Sequence, residues 1–279
     1  MRDQKFEKIR IHKHILLFLF SVFFTYLHST ETSPWLGNPY EFEWRNSLCV
    51  QNYSRLNINS HSSKSHQTDY FFNSSLCNSI PYLGAEIECL LAKTKEQRGD
   101  VDSLKLTGRY VFQDDIAGDP ISLVTGVSLT KAFWPSLRDI SSFHHGLGEV
   151  ELFLSFGKER SQCNFWIFRW WGLAGIGVAE RGSPWLRAEL KAAMSFRERH
   201  ELELGCLSLF GLGRKSLRKH DFKGYGSIHH QSVDLALRYT YLIDFVGNFN
   251  VEYSYRVYAY NFPARVNRVK AQFLFTFSL

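Results

Sequence analysis

The sequence predicts an all-β fold, a single antiparallel transmembrane β-barrel of about twelve strands, or about ten if the N-terminal pair stays outside it. Three observations predict this. Apolar and polar residues alternate at period two along most of the chain from Pro81 onward. The N-terminus carries a basic stretch followed by a short apolar run. The final stretch, from Val269, is a strand with one oily face that continues to the last residue. A chain of 279 residues is long enough for one large β domain, and no Pro/Gly-rich linker divides it.

Arg2, Lys5, Lys8, Arg10 and Lys13 precede the apolar run Ile15 to Tyr26, and Ser29 and Thr30 follow it. That run is short for a spanning helix, which needs about 20 apolar residues, and suits the core of an export signal. Residues 1–30 therefore read as a signal peptide and 31–279 as the exported barrel, with 31–80 either its first part or a lead-in. Aromatics make up 16% of the chain, with 24 Phe and 13 Tyr, yet long apolar runs are absent after the N-terminus, which favours strands over helical spans. The formal charge of +6 belongs partly to the signal. No aromatic-interleaved basic stripe points to nucleic acid. Cys49, Cys77, Cys89, Cys163 and Cys206 match no zinc spacing and read as small hydrophobes, the odd count leaving at least one unpaired.

Taken in order, Pro34 to Pro39 is a rigid lead-in, and Phe42, Trp44, Leu48 and Val50 oppose Glu43, Arg45, Ser47 and Gln51 in a first strand. Asn57 to Thr68, rich in Ser, His and Asn, reads as a long loop, and Tyr70 to Leu76 as a short second strand. Leu83 to Leu91 sets apolar residues against Glu86 and Glu88, and Leu104 to Phe112 against Lys105, Thr107 and Arg109. Ile121 to Leu129 follows, and then a longer connection from Ala132 to Leu147 carrying His144 and His145. Val150 to Phe156 opposes Glu149 and Glu151, with a short turn expected at Lys158 to Gln162. Trp166 to Val178, Leu186 to Phe196 and the strand of Leu202 and Leu204 come next, then a long basic loop from Gly211 to His230. Val233 to Ile243 and Phe249 to Val257 lead through Asn261 to Asn267 into the last strand.

Longer connections near Lys95, Arg138, Gly182, Lys219 and Pro263 alternate with shorter turns near Gly118, Glu159, Glu198 and Gly247. Short periplasmic turns and longer external loops have this rhythm. In the last strand Val269, Ala271, Phe273, Phe275, Phe277 and Leu279 share one face, opposed by Lys270, Gln272, Thr276 and Ser278. This stretch resembles the carboxy-terminal signal of bacterial outer-membrane β-barrels, with Leu279 where Phe is usual. The run Tyr253 to Tyr260 also looks like uncharacterised barrels of chlamydia-like bacteria. The resemblance implies location in the outer membrane of a Gram-negative-type bacterium, contact with outer-membrane lipid and lipopolysaccharide, and recognition by the assembly machinery through Phe273, Phe275, Phe277 and Leu279. Nucleic acid is not among the expected partners.

Whole ionised side chains recur on the polar face, often complementary between neighbouring strands, which suits a wet lumen. Glu86, Lys105, Arg109, Glu151, Arg187, Glu203, Arg238, Glu252 and Arg256 are the candidate pore-lining residues. Rings of charge filter solutes by sign, so the first functional expectation is a narrow channel for small polar solutes or ions. The alternative is a non-conducting structural or surface-interaction barrel plugged by its own ion pairs. A third reading takes His230 and Ser232, which resemble the His-x-Ser pair of outer-membrane phospholipases and lipid A deacylases, as a lipid hydrolase site. Phase argues against it: if Val233, Leu235 and Leu237 face lipid, His230 and Ser232 face the lumen with Asp234. His144, His145, His229 and His230 lack partner spacing for a metal, and neither metal nor cofactor is expected. Arg214, Lys215, Arg218, Lys219, His220 and Lys223 make a basic loop able to meet lipopolysaccharide phosphates or to fold inward.

Overall fold

A computed structural model describes residues 32–59, 61–162, 165–243 and 246–278. The expected signal peptide, Cys163 and Leu279 lie outside these residues. Strict alternation gives most strands one apolar and one charged face, and a closed barrel turns those faces to different surroundings. The strands are β1 (Phe42–Ile58), β2 (His61–Ile80), β3 (Leu83–Lys93), β4 (Arg98–Gln113), β5 (Ser122–Ala132) and β6 (Gly148–Gln162). They continue as β7 (Phe165–Ala179), β8 (Trp185–Phe196), β9 (His200–Leu212), β10 (His229–Ile243), β11 (Gly247–Tyr260), β12 (Phe262–Ala264) and β13 (Asn267–Phe277). One helical turn, α1 (Trp134–Leu137), interrupts the β5–β6 connection.

Each long strand pairs antiparallel with the next. β1 also pairs with β13, from Phe42 opposite Phe277 to Asn52 opposite Asn267, which closes a barrel of twelve long strands. Short β12 adds three residues to the outer end of β1, where Arg55 faces Ala264. Among the described residues no helix is long and apolar enough to cross a membrane; the crossing is made by strands.

Exposure identifies the two faces. Ile87, Leu152, Leu190 and Leu204 are 58–63% exposed, whereas Glu86 and Glu88, their neighbours in sequence or on the barrel's other face, are 2% exposed. A face that is both apolar and exposed is a lipid belt, because in water such a surface would be covered. Tyr239 and Tyr253 sit on it, with hydroxyls bonded to His200 and Asn267 respectively, as interfacial aromatics require a polar partner at the membrane edge.

Two expected connections are strand instead. Asn57, Ile58 and the stretch from His61 to Thr68 belong to the paired strands β1 and β2, in which Arg55 faces Lys64 and Ile58 faces His61. Outside the bilayer neither face of that ladder is buried in lipid, so no apolar alternation marks it. Lys158 to Gln162 extends β6, with Glu159 opposite Arg169 and Gln162 opposite Phe165. The four described cysteines, Cys49, Cys77, Cys89 and Cys206, are free.

Candidate functional site: the lumen

Alternation sends every second side chain of a barrel strand inward, so the lumen is built by β-strand phase alone. From β6 to β13 the inward residues form a chain of ion pairs around the wall. Arg187 on β8 meets Glu151 on β6 at 2.9 Å and Glu189 at 3.7 Å. Lys191 lies 3.4 Å from Glu203 on β9, and Arg238 on β10 lies 3.2 Å from the same carboxylate. Arg238 also donates to Glu252 on β11 at 2.7 Å. Nearer the outer end, Arg256 grips Asp234 through Nε at 2.6 Å and Nη2 at 2.8 Å, the two-pronged geometry that suits guanidinium to carboxylate. Arg268 on β13 reaches Asp234 at 3.1 Å and Gln51 on β1 at 2.7 Å.

The opposite wall is formed by β1 to β5. Glu88 stands across from Lys105, and Thr107 and Ser128 share a hydroxyl bond of 2.9 Å. Glu86 meets Arg45 of β1 at 3.6 Å. The strand of Glu86 and Glu88 is the neighbour of the strand of Lys105 and Arg109, as expected; Glu86 stands across from Thr107, and Arg109 donates to the Ser33 carbonyl.

Between these walls lies a cavity of about 310 Å³ lined by charged residues of both walls. Thr32 borders it from one side, and Ile140 to His145 with Phe262 and Pro263 from the other. The first border belongs to a segment before β1 that lies inside the barrel. Ser155 donates to the Thr32 carbonyl at 2.6 Å, and Trp35 Nε1 donates to Asp115 at 2.9 Å. Pro34 seats over Gly157, where a Cβ would stand 3.0 Å from its Cγ. Asp115 accepts bonds from Ser122, Trp35 and the Glu159 N–H, which outweigh burial and hold its carboxyl below the usual range.

The second border is the external mouth. Leu217, Phe222, Tyr225 and Ile228 from the β9–β10 loop pack with Leu56 and Phe262 into an apolar cluster against Ile140 and Phe143. The Tyr225 hydroxyl donates to the Ile140 carbonyl at 2.7 Å and its N–H to that of His144 at 2.7 Å, tying the two inward loops together. Beside the cluster a buried polar network hangs on Asp102, which accepts from His144 at 2.6 Å, Ser142 at 2.7 Å and Gln97 at 3.0 Å. Burial works against a charged His144, but the Asp102 carboxylate beside it, helped by Glu149, holds its pKa up at about 10.

No family model matches this chain, and no curated protein matches its sequence. Solved structures match its fold. An outer-membrane channel of Pseudomonas putida F1 superposes with a TM-score of 0.65 at 11% identity, covering 90% of this chain and all of that one. The NanC porin gives 0.53 at 9% identity, covering 82% and 98%, and the KdgM porin in complex with disordered oligogalacturonate gives 0.51 at 10%, covering 85% and 99%. The fold is the outer-membrane β-barrel. That fold is at home in the outer membrane of Gram-negative-type bacteria.

Within this outer-membrane barrel, Glu86, Lys105, Arg109, Glu151, Arg187, Glu203, Arg238, Glu252 and Arg256 are all buried or half-buried on strand positions that alternate with the exposed apolar belt. His230 and Ser232 are 0% and 1% exposed and share the inward face with Asp234; the one irregularity of the β10–β11 pairing leaves its extra residue, Val257, on β11, and β10 stays in unbroken register with β9. Phe273 and Phe275 are exposed on the outer face, and Phe277 stacks on Phe42 at 5.5 Å. The pore-lining candidate set read from the sequence leaves out Glu189, Lys191, Arg268 and Lys270, which border the cavity at inward phases of their strands. It also missed Thr32 to Leu36 and the mouth cluster, which carry no strand periodicity.

Proposed function

We propose that this outer-membrane barrel is a narrow channel for diffusion of small polar solutes or ions. The observation that carries the reading is the charged cavity of about 310 Å³ enclosed by the ion-paired wall. The three solved barrels with the same fold are named as a channel and as porins, which supports the reading without specifying a solute. Lys105, Glu151, Arg187, Arg238, Glu252 and Arg256 border the cavity and would set selectivity, while Glu86, Arg109 and Glu203 would act from beside it. The Thr32 segment and the inward loops would set the bore.

The test is conductance of the refolded protein in a planar bilayer, with a heat-modifiable gel shift reporting the folded barrel. Unitary steps whose ion selectivity moves toward cations in Arg238→Glu are expected. A folded barrel that stays silent would favour the second reading, a non-conducting structural barrel, for which the packed external mouth is the specific support. A lipid hydrolase at His230 and Ser232 draws no support from side chains turned away from lipid. On either barrel reading the partners would be outer-membrane lipid, the assembly machinery at Phe273, Phe275, Phe277 and Leu279, and lipopolysaccharide. The exposed Arg214, Lys215, Arg218, Lys219, His220 and Lys223, held outward while Leu217 and Phe222 are buried, suit its phosphates.

A further inference from the structure

Where the β5–β6 loop crosses the external mouth, His145 meets His230 of β10 with the two Nε2 atoms 3.2 Å apart. Both rings are enclosed. The His145 ring lies flat on the Trp185 indole, with centroids at 3.7 Å and planes 5° apart. Phe143 turns its edge to His145 and to His230, at 4.9 and 5.3 Å, and Phe262 stacks on His230 at 5.4 Å. At such a separation one nitrogen donates and the other accepts, so the pair is bonded only while a single proton lies between them.

The proton positions follow from the neighbours. Glu149 Oε1 is 4.0 Å from His145 Nδ1, which favours a proton on that nitrogen and leaves His145 Nε2 as the acceptor. His230 then donates from Nε2, and its Nδ1 is a bare acceptor, buried and without a hydrogen-bond partner among the described residues. An added proton would land on that Nδ1, among aromatic rings with no acceptor for it. A second would set two donors face to face.

Charges around the pair oppose both additions. His144 on the same loop, His229 on β10 and Arg256 on β11 are the cationic or basic groups that face it. Glu149 on β6 faces His145, Asp102 on β4 is engaged by His144, and Asp234 on β10 by Arg256 and Arg268. Tyr225 of the β9–β10 loop packs against His230 at 5.2 Å, and β8 contributes neutral Trp185.

We propose that His145 and His230 form an acid-released latch that holds the β5–β6 loop across the external mouth near neutral pH and frees it when the pair takes up protons. Burial, with His230 and His144 beside it, holds His145 well below the usual histidine range while the loop is closed. The released loop binds protons more readily than the closed one. The pair's own contribution to closure is therefore fully present above the ordinary histidine value of about 6.5 and weakens as pH falls below it. As a gate, the latch rests on the channel reading above.

The experiment is hydrogen exchange of the loop peptide spanning 139–147 in the full-length barrel at about pH 7.5 and about pH 5, corrected for intrinsic exchange, alongside bilayer conductance at the same two values. Acid should raise corrected loop exchange about ten-fold, and the double variant His145→Gln/His230→Gln, in which one amide can donate to the other and neither takes up a proton, should abolish the rise. Loop exchange that ignores pH, or that rises equally in the double variant, would overturn the latch. Acid-released exchange in a barrel that never conducts would support the latch and sink the channel.

Discussion

The two ends of the lumen are narrowed by different physics. At the external mouth two loops bury aliphatic and aromatic side chains against each other, with Tyr225 fully enclosed and Leu217 1% exposed. At the other end a single segment, Thr32 to Leu36, is held by hydrogen bonds to Ser155, Arg109 and Asp115 and by the Trp35 ring, which meets Trp171 at a steep angle and lies beneath the Arg169 guanidinium. Packing of many atoms resists removal of any one bond, whereas a strap held by separate polar contacts yields one contact at a time. The mouth should therefore be the stiffer end and the strap the more easily loosened.

The sharpest way to break this comparison is Tyr225→Ala. Emptying that enclosed site should cost the mouth about 3–5 kcal/mol, the range for buried aromatic truncation. Trypsin should then cut at the exposed basic residues of the β9–β10 loop, while the heat-modifiable band of the intact barrel persists. Next comes Asp102→Asn, which strips His144 of its carboxylate and should cost about 1.5–3 kcal/mol, as for hydrogen bonds to charged groups. Because the His144 pKa is raised to about 10 in the closed mouth, its contribution is complete below its ordinary value near 6.5 and is lost as pH climbs through about 10. A histidine titration by NMR that finds His144 neutral at pH 8 would remove this contribution.

Trp35→Phe keeps a ring beside Trp171 but deletes the Nε1 bond to Asp115, and should loosen residues 32–37 by about 1 kcal/mol, seen as faster exchange there and unchanged exchange at the mouth. Equal disturbance of both ends by this substitution would contradict their independence. The smallest effect is expected for Lys158→Ala, whose exposed ammonium bonds the Pro120 carbonyl: under about 0.5 kcal/mol, with an unaltered unfolding midpoint in urea.

The wall was legible from the sequence because lipid and water impose one rule on every second residue. Ile87 against Glu88, Leu190 against Lys191 and Leu237 against Arg238 each announce their faces, and the same phase placed His230 and Ser232 inward. Where that rule lapses, so did legibility. Ser62, Ser63 and Lys64 pair in a regular ladder, yet above the bilayer nothing requires one face to be apolar, and a polar strand has the composition of a loop. The mouth cluster is scattered as Leu217, Phe222, Tyr225 and Ile228 among basic residues, a spacing that follows the shape of the opening rather than any period. Ionic partners were legible only across adjacent strands; Arg45 to Glu86 spans β1 and β3, and Glu151 to Arg187 spans β6 and β8.

Closure of β1 on β13 has a consequence for the order of events in making the protein. The first of the described strands finds its second neighbour only in the last of them, residue 42 beside residue 277. Until that seam is sewn, β1 and β11 each present a row of unsatisfied amides, which a hydrocarbon environment cannot answer. No partial product is a smaller version of the finished object, and a chain halted before Asn267 keeps two raw edges open to any strand it meets. Inspection of one seam therefore suffices to tell a closed barrel from an open one.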